Sequence, residues 1–257
     1  MTGQIAWITG GGSGLGRAVA LRLVKDGWTV AVSARTASDL DELAALPQAE
    51  GRIIAFAVDV NDRAALAVVA ASIERDIGPI ALVFLSAGIY LPFGLADFSA
   101  EKIEMILRVN VIGVANVIEL VLPNFIARNQ GHIAVVSSLG QYRGMMRTAG
   151  YGASKAALLM ICETLRLQTR KTGIKVQIVV PGYIQTRMTA KAPFALPGII
   201  TAEDAAEQSV AGMKTNAFEI TMPRGMVAKV RRSRLMPSWL YFWYAARTPL
   251  FGGSRGG

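Results

Sequence analysis

A chain of 257 residues, 52% hydrophobic and 18% charged, carries enough apolar surface for one large α/β domain and excludes disorder along its whole length. One cysteine, Cys162, excludes an intramolecular disulfide framework and fits a reducing compartment; together with one histidine, His132, it excludes an ordinary structural zinc site. The net charge of +9 is uneven: residues 220–257 hold seven basic and no acidic side chains, leaving 20 basic against 18 acidic elsewhere, so a nucleic-acid partner is not expected.

The N-terminus runs straight into an apolar segment without the basic and apolar regions of a signal peptide. No run of about 18 uninterrupted apolar residues marks a membrane span, and the expected location is the cytoplasm. Strands are predicted at 5–9, 29–33, 53–57, 80–86, 133–137 and 175–180, and helices at 14–26, 38–46, 62–77, 100–128 and 151–171. The strands are almost continuously apolar, as strands covered on both faces are. His132 reads as a residue opening the fifth strand. Strand–helix alternation predicts a doubly wound parallel α/β sheet of Rossmann type with helices on both faces. Residues 1–222 are expected to form the nucleotide-binding catalytic domain, with a substrate lid at about 183–201, and 223–257 a basic aromatic extension.

The first strand ends in Thr9-Gly10-Gly11-Gly12-Ser13-Gly14-Leu15-Gly16 and passes into a helix. Glycines let the backbone approach a pyrophosphate, and the helix start offers free N–H groups and the positive end of its dipole. Between the first strand and first helix of an α/β pattern, such a run predicts a dinucleotide cradle at Gly10, Gly12, Ser13, Gly14, Leu15 and Gly16. The second strand ends Ser33-Ala34-Arg35-Thr36. Where an NAD-binding unit carries a carboxylate for the ribose 2′-hydroxyl, Ala34 is followed by a cation. Arg35 suits a 2′-phosphate, so NADP(H) is favoured over NAD(H), with Ser33 and Thr36 beside it.

After the fifth strand come Ser137 and Ser138, then Tyr151 and Lys155, four apart and on one face of a helix. A phenol is a poor base at neutral pH; an ammonium one turn away stabilises its phenolate and is expected to lower its pKa. Ser138 at the end of a strand could hold a substrate oxygen.

In these residues the chain resembles the short-chain dehydrogenase/reductase family. The resemblance covers about residues 3–222 and rests on Thr9-Gly10…Gly14-Leu15-Gly16, Asp59-Val60, Asn110, Ser138, Tyr151…Lys155 and Pro181-Gly182…Thr186. It implies seven strands in the order 3-2-1-4-5-6-7. It implies that Asp59 and Val60 lie along the adenine, and that Asn110 holds a water in a proton relay to Lys155. It places Pro181, Gly182, Ile184 and Thr186 beside the nicotinamide and its phosphate. Where the family commonly has Asn-Ala-Gly after the fourth strand, this chain has Ser86-Ala87-Gly88, still expected at the cofactor. The implied chemistry is hydride transfer between NADP(H) and a carbonyl/alcohol pair. Ser138 and Tyr151 would bind the oxygen, and Tyr151 would move the proton.

Leu139, Gln141, Tyr142, Met145 and Met146 after the serine, with Tyr183, Met188 and Phe194 on the lid, are candidates for an apolar substrate pocket. Small residues on the Tyr151 helix (Ala153, Ala156, Ala157) permit close helix approach, and the family resemblance, in which the corresponding helices often build dimers and tetramers, implies a homodimer or homotetramer. The stretch 236–244, with two of the four tryptophans, suits either a peripheral membrane surface or packing within or between subunits. Rival readings are a cofactor-binding regulatory protein, which predicts a broken catalytic set, a nucleic-acid- or membrane-binding module driven by the tail, and an epimerase or enoyl reductase on the same scaffold.

Overall fold

A computed structural model describes residues 4–190 and 197–248. Seven parallel strands form one sheet in the order β3-β2-β1-β4-β5-β6-β7. They are β1 (Ile5–Thr9), β2 (Thr29–Ala34), β3 (Ile53–Ala57), β4 (Ile80–Leu85), β5 (Gly131–Val136), β6 (Ile174–Pro181) and β7 (Glu219–Met222). The side-chain period of two divides each strand between the faces. In β1, Ile5 and Trp7 join one core with Val117, Phe125 and Leu158, while Ala6 and Ile8 join the other with Leu23, Leu40 and Val210.

The second core is covered by α1 (Gly14–Lys25), α2 (Ala37–Ala44) and α7 (Ala202–Met213); the first by α3 (Arg63–Ser72), α5 (Gly113–Arg128) and α6 (Ala149–Gln168). α1 buries Leu15, Val19 and Leu23, four apart, and its neighbours Ala18 and Ala20 let the sheet approach closely. Truncating Leu23 to alanine would cost about 2–5 kcal/mol. Arg22 on α1 joins Asp26 and Glu207, tying α1 to α7 at the surface.

Residues 100–128, read as one helix, are α4 (Ala100–Leu107), a π-helical turn (Arg108–Ile112) and α5. The combined run Ala100–Arg128 is long and apolar enough to cross a membrane by composition, yet buries Val114, Val117, Val121 and Phe125 in the sheet-facing core. The π turn adds one residue to the helical count and turns Asn110 inward. His132 pairs in register with Lys175 and Leu82, and burial holds its imidazole at a pKa of about 4, so it is neutral. Cys162 is buried in the core, its thiol pushed up to about 12. Beyond β7 the chain forms α8 (Arg224–Arg232) and α9 (Ser238–Arg247).

Candidate active site

The strand order reverses between β1 and β4, and there a crevice opens at the C-terminal ends of the strands. The pairing Thr9↔Leu85 and the bond from Ser86 N–H to Thr9 carbonyl bring the two following loops together. Gly10 has φ +70°, and a Cβ on it would lie 2.6 Å from Ala87 N. Only glycine satisfies both demands.

A cleft of about 170 Å³ lies here, lined by Gly10, Gly12, Ser13, Arg35, Thr36, Asp59, Val60, Ala87 and Gly88 among others. The Ser13 side chain makes no cap bond to α1, leaving the first N–H groups of that helix facing outward. Leu15 and Gly16 are buried beneath the turn. The methyl of Thr186 covers Gly14 from above, 3.0 Å from where a Cβ would be. A cradle with no Cβ in its floor and an uncapped helix start fits a pyrophosphate.

Each remaining wall has its own support. Ser33 lines the cleft, but its hydroxyl accepts from the Trp7 indole at 2.9 Å and points inward. Asp59 accepts from the backbone and side chain of Asn61 at 2.9 and 3.0 Å, closing a turn. Val60 is held by the Asn116 amide, which donates to its carbonyl at 2.9 Å. Arg35 is exposed and has no ion pair among the described residues. Asp39, also lining the cleft, accepts two bonds from Arg187 at 3.0 and 3.1 Å, which hold its carboxyl below the usual range.

The four residues expected to do chemistry come together past β5. Lys155 Nζ donates to the Val136 carbonyl at 2.9 Å and lies 5.5 Å from the centre of the Tyr151 ring. Burial lowers its pKa to about 8. Tyr151 departs from the expectation of an acidified phenol: burial pushes it up, the Ser138 hydroxyl beside it pulls it down, and the Tyr90 phenol adds to the rise. Taking the ring out of water outweighs the neighbouring dipole. The Tyr90 ring meets Tyr151 edge-on, 5.2 Å between centres and 72° between planes.

Asn110 is fully buried. Its Oδ1 accepts from Ile89 N at 2.7 Å, and its Nδ2 donates to Ile89 O at 3.1 Å and Ser154 Oγ at 3.0 Å. Both amide protons are used, so the side chain braces the loop after β4 against the Tyr151 helix. A Cβ on Gly88 would lie 3.2 Å from Asn110 Oδ1 and 3.8 Å from Lys155 Nζ.

Pro181 ends β6, paired with Met222 of β7, and Gly182 and Ile184 follow it, with Gly182 N–H donating to Met222 O at 2.7 Å. Among the substrate candidates, Leu139 and Tyr142 are buried in the first core, and Tyr142 has Glu219, the first residue of β7, near its phenol. Gln141 is buried too, and Met145 packs partly against the same core. These residues support the wall behind Ser138. Tyr183 is half-buried, its phenol raised by burial and by Tyr90. Phe194 lies outside the described residues. Tyr90, Asp39 and Arg187 escaped the sequence reading, the last two because they meet across 148 positions.

Comparison with known proteins settles the family. The sequence profile of the short chain dehydrogenases matches residues 4–195. The chain belongs to the short-chain dehydrogenase/reductase family. It is similar to an uncharacterized oxidoreductase of Myxococcus xanthus, 31% identical over 94% of this chain and 96% of that one. It is also similar to a ketoacyl reductase of Nostoc, 30% identical over 89% and 82%. Among solved structures, a short-chain dehydrogenase of Sphingobium yanoikuyae in complex with NADPH superposes with a TM-score of 0.78 at 25% identity, covering 91% of this chain and 94% of that chain.

The seven-stranded sheet in its expected order is the Rossmann-like fold of this oxidoreductase family. Among the described residues no cluster of His, Cys, Asp and Glu could hold a metal ion.

Proposed function

We propose that the protein is an NADP(H)-dependent carbonyl reductase or alcohol dehydrogenase in which Tyr151 exchanges the proton. The observation that carries this reading is the convergence of Tyr151, Ser138 and Lys155 beside a glycine cradle with an uncapped helix start. Bound NADPH would supply the hydride. Gly10, Gly12, Ser13 and Gly14 would hold its pyrophosphate, and Asp59 and Val60 its adenine.

Ser138 orients the substrate oxygen toward the Tyr151 phenol, which donates a proton as the oxygen gains charge and takes one back in oxidation. A raised Tyr151 pKa keeps the proton on the phenol at neutral pH, the form that reduction needs. The Lys155 ammonium offsets the phenolate left behind. Asn110 is a positioning residue, holding Ile89 and Ser154 so that the walls of the site keep their spacing. The Nostoc ketoacyl reductase makes a ketone an apt first substrate class.

The preference for NADP(H) rests on Arg35, which has no ion pair among the described residues, and on Arg187 neutralising Asp39, the carboxylate of α2 that lines the same cleft. A homo-oligomer would use the outer faces of α5 and α6, which expose Ile126, Met160 and Leu167 beside Ala153 and Ala156.

The test is a panel of lipid, steroid and sugar ketones and alcohols followed by nicotinamide absorbance with both cofactors. Turnover with NADPH above NADH supports the reading. Cofactor binding with no turnover of any carbonyl would favour a regulatory protein, and interconversion without net NADPH use an epimerase.

A further inference from the structure

The C-terminal extension shows two faces of different character. α8 buries Val227 and Val230 and turns Arg224, Lys229 and Arg232 outward. α9 buries Tyr241, whose phenol donates to the Gly144 carbonyl at 2.5 Å and whose ring lies 4.5 Å from the Arg143 guanidinium carbon. Arg143 in turn donates to the carbonyls of Ser233 and Met236 at 3.1 and 2.7 Å. The inner face is therefore satisfied by this chain.

Among the described residues the outer face of α9 is left uncovered, apart from Arg247, whose guanidinium carbon lies 4.7 Å from the centre of the Trp243 ring. Trp239, Phe242 and Trp243 form one stripe at spacings of three and four and are 72%, 67% and 55% exposed. Leu235, on the turn before the helix, is 86% exposed. A helix apolar on both sides belongs in a core or at an apolar boundary. Tryptophan beside arginine is the composition of a membrane interface, and seven cations without a carboxylate from residue 220 onward complement anionic headgroups. A second copy of the chain fits worse, because a two-fold contact would set this basic face against itself.

The surface also has a position. Arg143 and Tyr241 hold the loop that follows Ser138, and Met226 of α8 packs at Gly182 and Gly198, at the two ends of the loop after β6. On those same loops Met146, Met188 and Ile199 are exposed. We propose that the outer face of α9, with the basic residues of α8 and the turn between them, seats the protein on an anionic lipid surface and holds the mouth of the site against it. The substrate class that follows is a ketone or alcohol dissolved in the bilayer. That class rests on the carbonyl-reductase reading; lipid binding does not.

The experiment is flotation of the full chain with phosphatidylcholine vesicles, with and without phosphatidylglycerol, at low and high salt. Wild type should float with the anionic vesicles and be released by salt. The Trp239→Ser/Phe242→Ser/Trp243→Ser variant, with Tyr241 kept as the inner anchor, should bind roughly tenfold or more weakly. Arg232→Glu/Arg234→Glu should lose the response to phosphatidylglycerol, which decides the matter even where the aromatic variant folds poorly. Both should keep wild-type NADPH affinity. Wild type that fails to float, or aromatic and charge variants that float equally well, overturn the proposal. So does an aromatic variant that changes only the oligomer mass, since a second copy then covers the face. Vesicle binding without turnover of any carbonyl leaves the lipid surface standing and rejects the reductase.

Discussion

The ammonium of Lys155 lies 5.5 Å from the centre of the Tyr151 ring while it donates to the carbonyl of Val136. One cation thus sits between the end of β5 and the aromatic ring, while burial, the Ser138 hydroxyl and Tyr90 govern the direction in which the phenol is shifted. Replacing Tyr151 by phenylalanine keeps the ring and its edge-on contact with Tyr90 but removes the proton. Turnover should fall by roughly 10²–10⁴-fold, with NADPH affinity by fluorescence titration within a few-fold of wild type. A variant retaining a tenth of the wild-type rate would remove Tyr151 from the acid–base role.

Lys155 gives a pH signature in the protein without ligand. Its folded pKa of about 8 lies below the ordinary lysine value of 10.5. Between those values the unfolded chain holds a proton that the folded chain has released, so this group adds stability as pH rises through the window. Lys155→Met removes the titration. Wild type should therefore gain up to roughly 3 kcal/mol relative to Lys155→Met between pH 7 and 10.5, read from denaturant midpoints. A constant difference across that range would place the buried ammonium elsewhere.

Arg35 and Arg187 should set cofactor choice by different routes. Arg35→Ala deletes the cation available to a 2′-phosphate, and NADPH affinity should drop roughly 10- to 100-fold with NADH little changed. Calorimetric titration with both cofactors measures it, and equal losses for the two would make Arg35 a general contact only.

Arg187→Ala leaves Arg35 in place but strips Asp39 of its partner. The freed carboxylate should repel a 2′-phosphate, so the NADPH-to-NADH affinity ratio should fall several-fold, and Asp39→Asn in the same chain should restore it. A double variant no better than the single one would disconnect the ion pair from cofactor choice.

Gly10→Ala tests the crevice itself. A side chain at φ +70°, with Cβ 2.6 Å from the Ala87 amide nitrogen, forces β1 and β4 apart at their ends. The expected cost is roughly 1–3 kcal/mol from the backbone conformation alone, with loss of cofactor binding, by thermal unfolding and titration. A variant of wild-type stability that binds NADPH normally would show the two loops to be movable.

Much of this was legible from local chemistry. The apolar strands, the glycine turn and the Tyr151/Lys155 spacing each lie within a few residues of chain, where period and composition speak directly. β7 was not read from its residues, since the four of Glu219–Met222 are too few to show a period. The π turn at Arg108–Ile112 hid because one extra residue hardly disturbs a 3.6-residue period over a long apolar helix. The Asp39–Arg187 pair and the Tyr90–Tyr151 contact arise from chain crossings that spacing does not encode. The direction of the Tyr151 shift was misjudged because proximity to an ammonium is visible in a sequence and desolvation is not.

The three carbonyls that receive Arg143, from Ser233, Arg234 and Met236, tie the segment between α8 and α9 to the loop that carries Ser138. Shortening the gene before α8 would leave a guanidinium without these acceptors five residues from Ser138, and the slackened loop would carry the hydroxyl with it. Kinetics measured on such a trimmed protein would describe a damaged catalyst, whatever its yield and solubility.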